Sequence, residues 1–153
     1  MTILSCEQLS FVRNKQPLLS AIDWQVEETQ NWAILGLNGA GKSLLLQLIT
    51  GQLWPSSGKL TVLGTVFGQS SIPELRQKIA WISPAYLNEF PEHETAEKIV
   101  VSGYFASVGV YQKVSDEQLA AAKKLLVELG LEEVIGRTFH TLSQGQKQLV
   151  GIA

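Results

Sequence analysis

Along the first half of the chain, apolar and polar residues trade places with a period near two. Residues 3–11 and 18–26 both read as strands, with RNKQP as the turn between them. In DWQV, at positions 23–26, the alternation is that of a strand with one wet face. WAIL, at 32–35, breaks this pattern. It is short and continuously apolar, which predicts a strand buried on both faces. A Gly-rich turn follows, and SLLLQLITGQL, at 43–53, has the length and composition of a helix. PSSG at 55–58 is a turn signal, KLTVLG a further short strand, and IAWIS at 79–83 a β-rich run. Between them Ser71, Pro73 and Glu74 supply a cap, an early proline and an acidic residue at the capping-box position, so a short helix is expected.

Beyond Pro84 the period lengthens. Residues 94–105 and 115–129 both carry helical patterns. The second opens on Ser115 and Gln118, a capping box, and closes at Gly130, a residue suited to the position after a helix. The final run, HTLSQGQKQLVGIA, reads as a helix that starts after Leu142 and has made about two turns by Ala153. The fold class expected is α/β, with an antiparallel β subdomain and an inserted α-helical subdomain. The boundaries expected are 1–86 for the β subdomain and core, 87–141 for the helical subdomain, and 142–153 for the start of the last helix.

Composition narrows the picture. With 153 residues, 45% hydrophobic and 17% charged, the chain is long enough for one packed core and too apolar for disorder. A net charge of -2 gives no basic field, so no nucleic-acid partner is indicated. Trp24, Trp32, Trp54 and Trp81 are scattered and read as packing residues. Cys6 is the single cysteine, which permits no internal disulfide and fits a reducing compartment. The start of the chain lacks the basic and apolar regions of a signal peptide. No apolar run reaches the ~20 residues that span a bilayer.

Candidate chemistry sits between WAIL and the first helix. Gly36, Leu37, Asn38, Gly39, Ala40, Gly41, Lys42 and Ser43 match G-x-x-x-x-G-K-[ST]. A triphosphate is a dense anion, and peptide N–H groups converging from a tight loop can wrap it. Glycines allow positive φ and close approach. The following helix turns its free N–H groups and positive dipole end toward the same phosphates. Lys42 adds a full charge for the β- and γ-phosphates, and Ser43 offers a hydroxyl to Mg²⁺. The setting, after a buried-type strand and before LLLQLI, separates this loop from a plain Gly-rich turn.

LSQGQ, at 142–146, is a second such feature. Ser143 is an N-cap and forms a capping box with Gln146, and Gly145 keeps the surface low enough for an anion to approach. By itself it also serves as an ordinary helix cap. Taken together, GLNGAGKS and LSQGQ, about a hundred residues apart with a helical lobe between, resemble the ATP-binding subunits of ABC transporters. The resemblance implies a P-loop NTPase core, ATP and Mg²⁺ as cofactors, and a head-to-tail dimer with a second ATP-binding subunit. The loop of one subunit and the Ser143, Gly145 and Gln146 of the other would then sandwich each nucleotide. It implies a membrane permease docked on the helical lobe around residues 86–111, and a place at the cytoplasmic face of the membrane. WISPAYLNEF and IVVSGYFASVGVY further resemble subunits found near molybdate and iron uptake systems.

The chain also departs from the family. Where a Gln commonly ends the strand corresponding to IAWIS, an ungapped comparison puts Pro84, with Asn88 the nearest amide. Where a Tyr often stacks on adenine stands Arg13, with Phe11 two residues earlier. Phe11 reads as core and Arg13 as a solvated turn charge. Leu44 replaces a common Thr. In the family a strand ending in Asp-Glu and a His that senses the γ-phosphate follow the signature helix. The sequence to Ala153 does not reach them, so a partial subunit is expected, binding nucleotide weakly and hydrolysing little by itself. A half-domain acting as a non-hydrolysing binding module is the competing reading, as is a fragment of a non-transport ABC ATPase. A small P-loop kinase leaves LSQGQ without a role.

Overall fold

A computed structural model describes residues 1–69 and 71–153, with Pro84 described by its backbone alone. The chain divides into two compact units, Met1–Ile79 and Ala80–Ala153.

The first unit is built on an antiparallel sheet. Strands β1 (Thr2–Arg13) and β2 (Gln16–Glu27) form a long hairpin, and β3 (Ser57–Val62) and β4 (Thr65–Val66) extend it in the order β2-β1-β3-β4. The hairpin turn is tight because Asn14 and Lys15 both take positive φ, 53° and 61°, the geometry that follows the strands' right-handed twist. Along β1 the buried positions are Leu4 and Cys6, then Leu9 and Phe11. The phase slips by one residue between them. A bulge does this: Gln8 sits at φ 48° and gives its backbone N–H to the Asp23 carboxylate at 2.7 Å. Helix α1 (Lys42–Ile49) lays Leu45 and Leu48 on the core that these strands share with Leu60 and Val62. It is shorter than the sequence pattern suggested. The Thr50 hydroxyl bonds back to the Leu46 carbonyl at 2.9 Å, and Gly51 turns the chain away at φ 73°. Helix α2 (Ile72–Arg76) follows. Ser71 has the expected N-cap backbone, but its side chain makes no cap bond, so the predicted capping chemistry is not formed.

The two inner strands predicted at WAIL and IAWIS are not formed either: residues 31–37 and 79–83 carry no strand. A strand buried on both faces needs a neighbour on each side to take its peptide groups. Among the described residues none runs beside them. Trp32, Leu35 and Leu37 are consequently 55%, 89% and 85% exposed. Ile34 and Ile79 lean onto the core, while Trp32 stands edge-on to Trp24 with centroids 5.6 Å apart.

The second unit is helical: α3 (Pro84–Leu87), α4 (Ala96–Ser102), α5 (Asp116–Glu128) and α6 (Gln144–Ile152), with single 3-10 turns at Gly103–Phe105, Glu132–Val134 and Phe139–Thr141. Helix α5 is fixed at both ends as read from the sequence. Ser115 and Gln118 complete a capping box, and Gly130 follows at φ 70°. Val101, Ala122, Leu126, Val134, Phe139 and Val150 lock α4, α5 and α6 together. Glu97, nearly buried at the start of α4, accepts the Gly136 N–H at 2.9 Å and ties that turn to the helix. No helix among the described residues is long and apolar enough to cross a membrane.

Burial, aided by the negative charge of Asp23, pushes the Cys6 thiol up to about 11. The folded value lies above that of a free thiol, ~8.5. The stability this contributes is therefore complete below that pH and lost as pH climbs toward the folded value. Iodoacetamide should leave native Cys6 untouched at pH 8 and modify it readily in urea. Rapid labelling of the native chain would show the β1 core to be open.

Candidate functional site

The phosphate-loop residues run from the segment after β2 into the first turn of α1, and their geometry follows from two contacts. Gly41 is the N-cap of α1 at φ 88°, a region costly to any residue with a Cβ. A Cβ there would also lie 2.7 Å from Leu19 Cδ2. The loop thus closes directly on β2, which the motif alone did not reveal. Leu18 and Leu19 carry no functional signature, and only the fold brings them under Gly41. Gly39, at φ 85°, faces open space.

The second contact is made by Lys42. Its Nζ donates to the carbonyls of Gly36 at 2.7 Å and Leu37 at 2.9 Å. An ammonium has three protons, so one remains for an external acceptor. Its charge has no carboxylate partner among the described residues. The Ala40 N–H closes the loop onto the Leu37 carbonyl at 3.2 Å, and Leu45 N bonds back to Gly41 at 2.9 Å. Between these, the N–H groups of Lys42, Ser43 and Leu44 find no acceptor among the described residues. They are the unsatisfied donors of a helix start. Ser43 is exposed and its hydroxyl is unpaired among those residues, whereas Leu44 leans on the core. The result is a cluster of positive charge and free donors with no carboxylate partner among the described residues.

The other expected residues lie elsewhere. Phe11 is core, and Arg13 is exposed at the end of β1. Asn88 is the exposed C-cap of α3. The Pro84 side chain lies outside the description, though its backbone begins α3 rather than ending a strand.

In the second unit, Leu142 is buried and brings the chain to Ser143, the N-cap of α6. The predicted capping box is complete. Gln146 N–H donates to Ser143 Oγ at 3.3 Å, and Ser143 N–H donates to Gln146 Oε1 at 2.9 Å. Arg137 holds the approach by donating to the Thr141 carbonyl at 2.7 Å, and the Lys147 ammonium lies over the Phe139 ring, 5.2 Å from its centroid. The first turn of α6 carries no acidic residue, unlike that of α5 with Asp116 and Glu117. Gly145 lies within that turn, and a Cβ there would meet nothing within 4 Å. The fold of this chain therefore makes no demand for glycine at 145.

A β hairpin supporting a Gly-rich loop that opens a helix, followed by a helical lobe, defines a P-loop nucleotide-binding protein of α/β class. Residues 19–153 match the family model described as ABC transporter. An uncharacterized ABC transporter ATP-binding protein of Lactococcus lactis, YmeB, is 42% identical over 153 residues, covering 100% of this chain and 59% of its own. YlmA of Bacillus subtilis, carrying the same description, is 41% identical over 152 residues, covering 99% and 58%. Among solved structures, a nucleotide-free ATP-binding cassette from an ABC transporter superposes with a TM-score of 0.77 at 25% identity, covering 99% of this chain and 63% of its own. The chain belongs to the ABC transporter ATP-binding family. It spans about three fifths of the length of these curated relatives.

The two glycines separate in a stability measurement. Gly41→Ala should lower the melting temperature, since backbone strain of roughly 1–2 kcal/mol adds to the clash with Leu19. Gly145→Ala should hold or raise it, helix interiors favouring Ala by about 0.5–1 kcal/mol. Circular dichroism melts of the two variants check both.

Proposed function

We propose that this chain is the nucleotide-gripping part of an ABC transporter ATP-binding subunit, whose ATP binding and hydrolysis in the full-length protein drive solute movement. One observation carries the reading: Lys42 is held by two loop carbonyls beside a row of helix N–H groups, and among the described residues neither the N–H groups find an acceptor nor the charge a carboxylate. Nothing in the packing of the described residues uses that arrangement, and a polyphosphate would.

In this reading the N–H groups of the Gly36 to Ser43 loop and of Leu44 surround the phosphates. The third Lys42 proton adds a charge-assisted bond to the β- and γ-phosphates. The exposed Ser43 hydroxyl, without a partner among the described residues, fits a ligand to the Mg²⁺ that travels with ATP. Bound metal would neutralise phosphate charge and orient the γ-phosphate for displacement. Residues 142–146 serve the nucleotide of a second subunit facing this one head to tail. Ser143 and Gly145 give its γ-phosphate a hydroxyl and an unobstructed helix start. The helical unit, with Tyr104 and Tyr111 49% and 84% exposed, supplies the surface for a membrane permease at the cytoplasmic face.

Titration with a fluorescent ATP analogue in Mg²⁺ tests the cis half. Saturable binding is expected, and Lys42→Ala should weaken it ten-fold or more, about the loss of one charge-assisted bond. Absence of saturable binding by the ordered wild-type chain refutes the reading. Gly145→Ala tests the trans half: it should leave the affinity of the single chain unchanged yet weaken ATP-driven self-association in sedimentation velocity.

A further inference from the structure

Gln146 stands among the expected nucleotide-binding residues, but its side chain is engaged at both ends within the chain. Its Oε1 accepts the Ser143 N–H at 2.9 Å, and its Nε2 donates to Glu133 Oε1 at 3.2 Å. Glu133 belongs to the 3-10 turn Glu132–Val134, thirteen residues earlier. We propose that Glu133 is a positioning residue for the signature turn. Its carboxylate orients the Gln146 amide, which holds Ser143 and leaves the hydroxyl and Gly145 as the groups a partner's nucleotide meets. This deepens the trans half of the function proposed above and rests on it.

The argument is one of polarity. A side-chain amide is nearly symmetric in shape, and its two ends differ only in whether they donate or accept. An ionised carboxylate can only accept. Beside Glu133 the amide must therefore present its NH₂, and the oxygen must then face the Ser143 N–H. The flipped amide would set oxygen against carboxylate and NH₂ against N–H, opposing both contacts. Without Glu133 only the weaker half of that preference remains.

The same chain contains a natural control. Ser115 and Gln118 form an identical box at the start of α5, with bonds of 3.0 and 3.2 Å. There, no described group accepts from the Gln118 amide. That helix start carries its own acidic residues, Asp116 and Glu117. The turn at α6 has none, the N–H groups of Gln144 and Gly145 find no acceptor among the described residues, and the anchoring charge is brought from the side. The box that needs a fixed, open mouth is the tethered one.

Two measurements on the 153-residue chain decide the matter. Nuclear magnetic resonance of the side-chain amides should separate Gln146 from Gln118 in the wild type. Glu133→Ala should move the Gln146 signals toward those of Gln118, and Glu133→Gln, an acceptor that can itself turn over, should fall between. Sedimentation velocity in ATP should show self-association roughly three- to ten-fold weaker in Glu133→Ala, the range for one partly screened, charge-assisted bond. Its thermal melt should stay close to wild type. Unmoved Gln146 signals overturn the contact. Moved signals with unchanged association reduce Glu133 to a structural role and overturn the proposal. A wild-type chain that binds the analogue but never self-associates overturns the trans reading while leaving the phosphate loop intact.

Discussion

An ammonium group and a fan of bare peptide N–H groups repel one another, yet the loop from Gly36 to Ser43 holds them side by side. Two carbonyls make this possible. By turning the oxygens of Gly36 and Leu37 onto Lys42 Nζ, at 2.7 and 2.9 Å, the backbone screens the charge on one flank and leaves the other flank bare. The turn is possible only because Gly41 takes φ 88° against Leu19, and Leu19 is where it is because the β1–β2 hairpin is long and tightly closed. A chain of dependence thus runs from a two-residue turn at Asn14 and Lys15, through the strand, to the charge that would meet a phosphate.

The features legible in the sequence were those written within a few residues of themselves. The hairpin follows from two-residue alternation. The boxes Ser115–Gln118 and Ser143–Gln146 follow from side chains reaching three residues along the backbone, and the phosphate loop from its glycines. The misread features depend on partners far along the chain. WAIL and IAWIS have the composition of inner strands, but a strand is defined by its neighbours, and the described residues provide none. The bulge at Gln8 depends on Asp23, fifteen residues on, and shifts the phase of β1 without altering its composition. Leu19 beneath Gly41 and Glu133 beside Gln146 carry no periodic or motif signal, so neither could be picked out.

The two helix starts show how one chain can use the same device for different ends. At α5 the box is filled out with acidic residues, and the dipole is satisfied internally. At α6 the acids are missing from the first turn, the glycine is unconstrained by the fold, and a cation over Phe139 fixes the following residue. The matched stretch, residues 19–153, contains both the loop and the tethered turn.

The bare segment before the loop has a physical consequence of its own. Residues 32–37, WAILGL, carry no charge and no proline. They form no helix or strand, Trp32, Leu35 and Leu37 are exposed, and the main-chain groups of 32–35 find no partner among the described residues. Such a ribbon is a template on which identical ribbons can stack, each satisfying the one beside it. Precipitation from concentrated solution would therefore begin at WAILGL, next to the phosphate loop, while the sheet behind it is still intact.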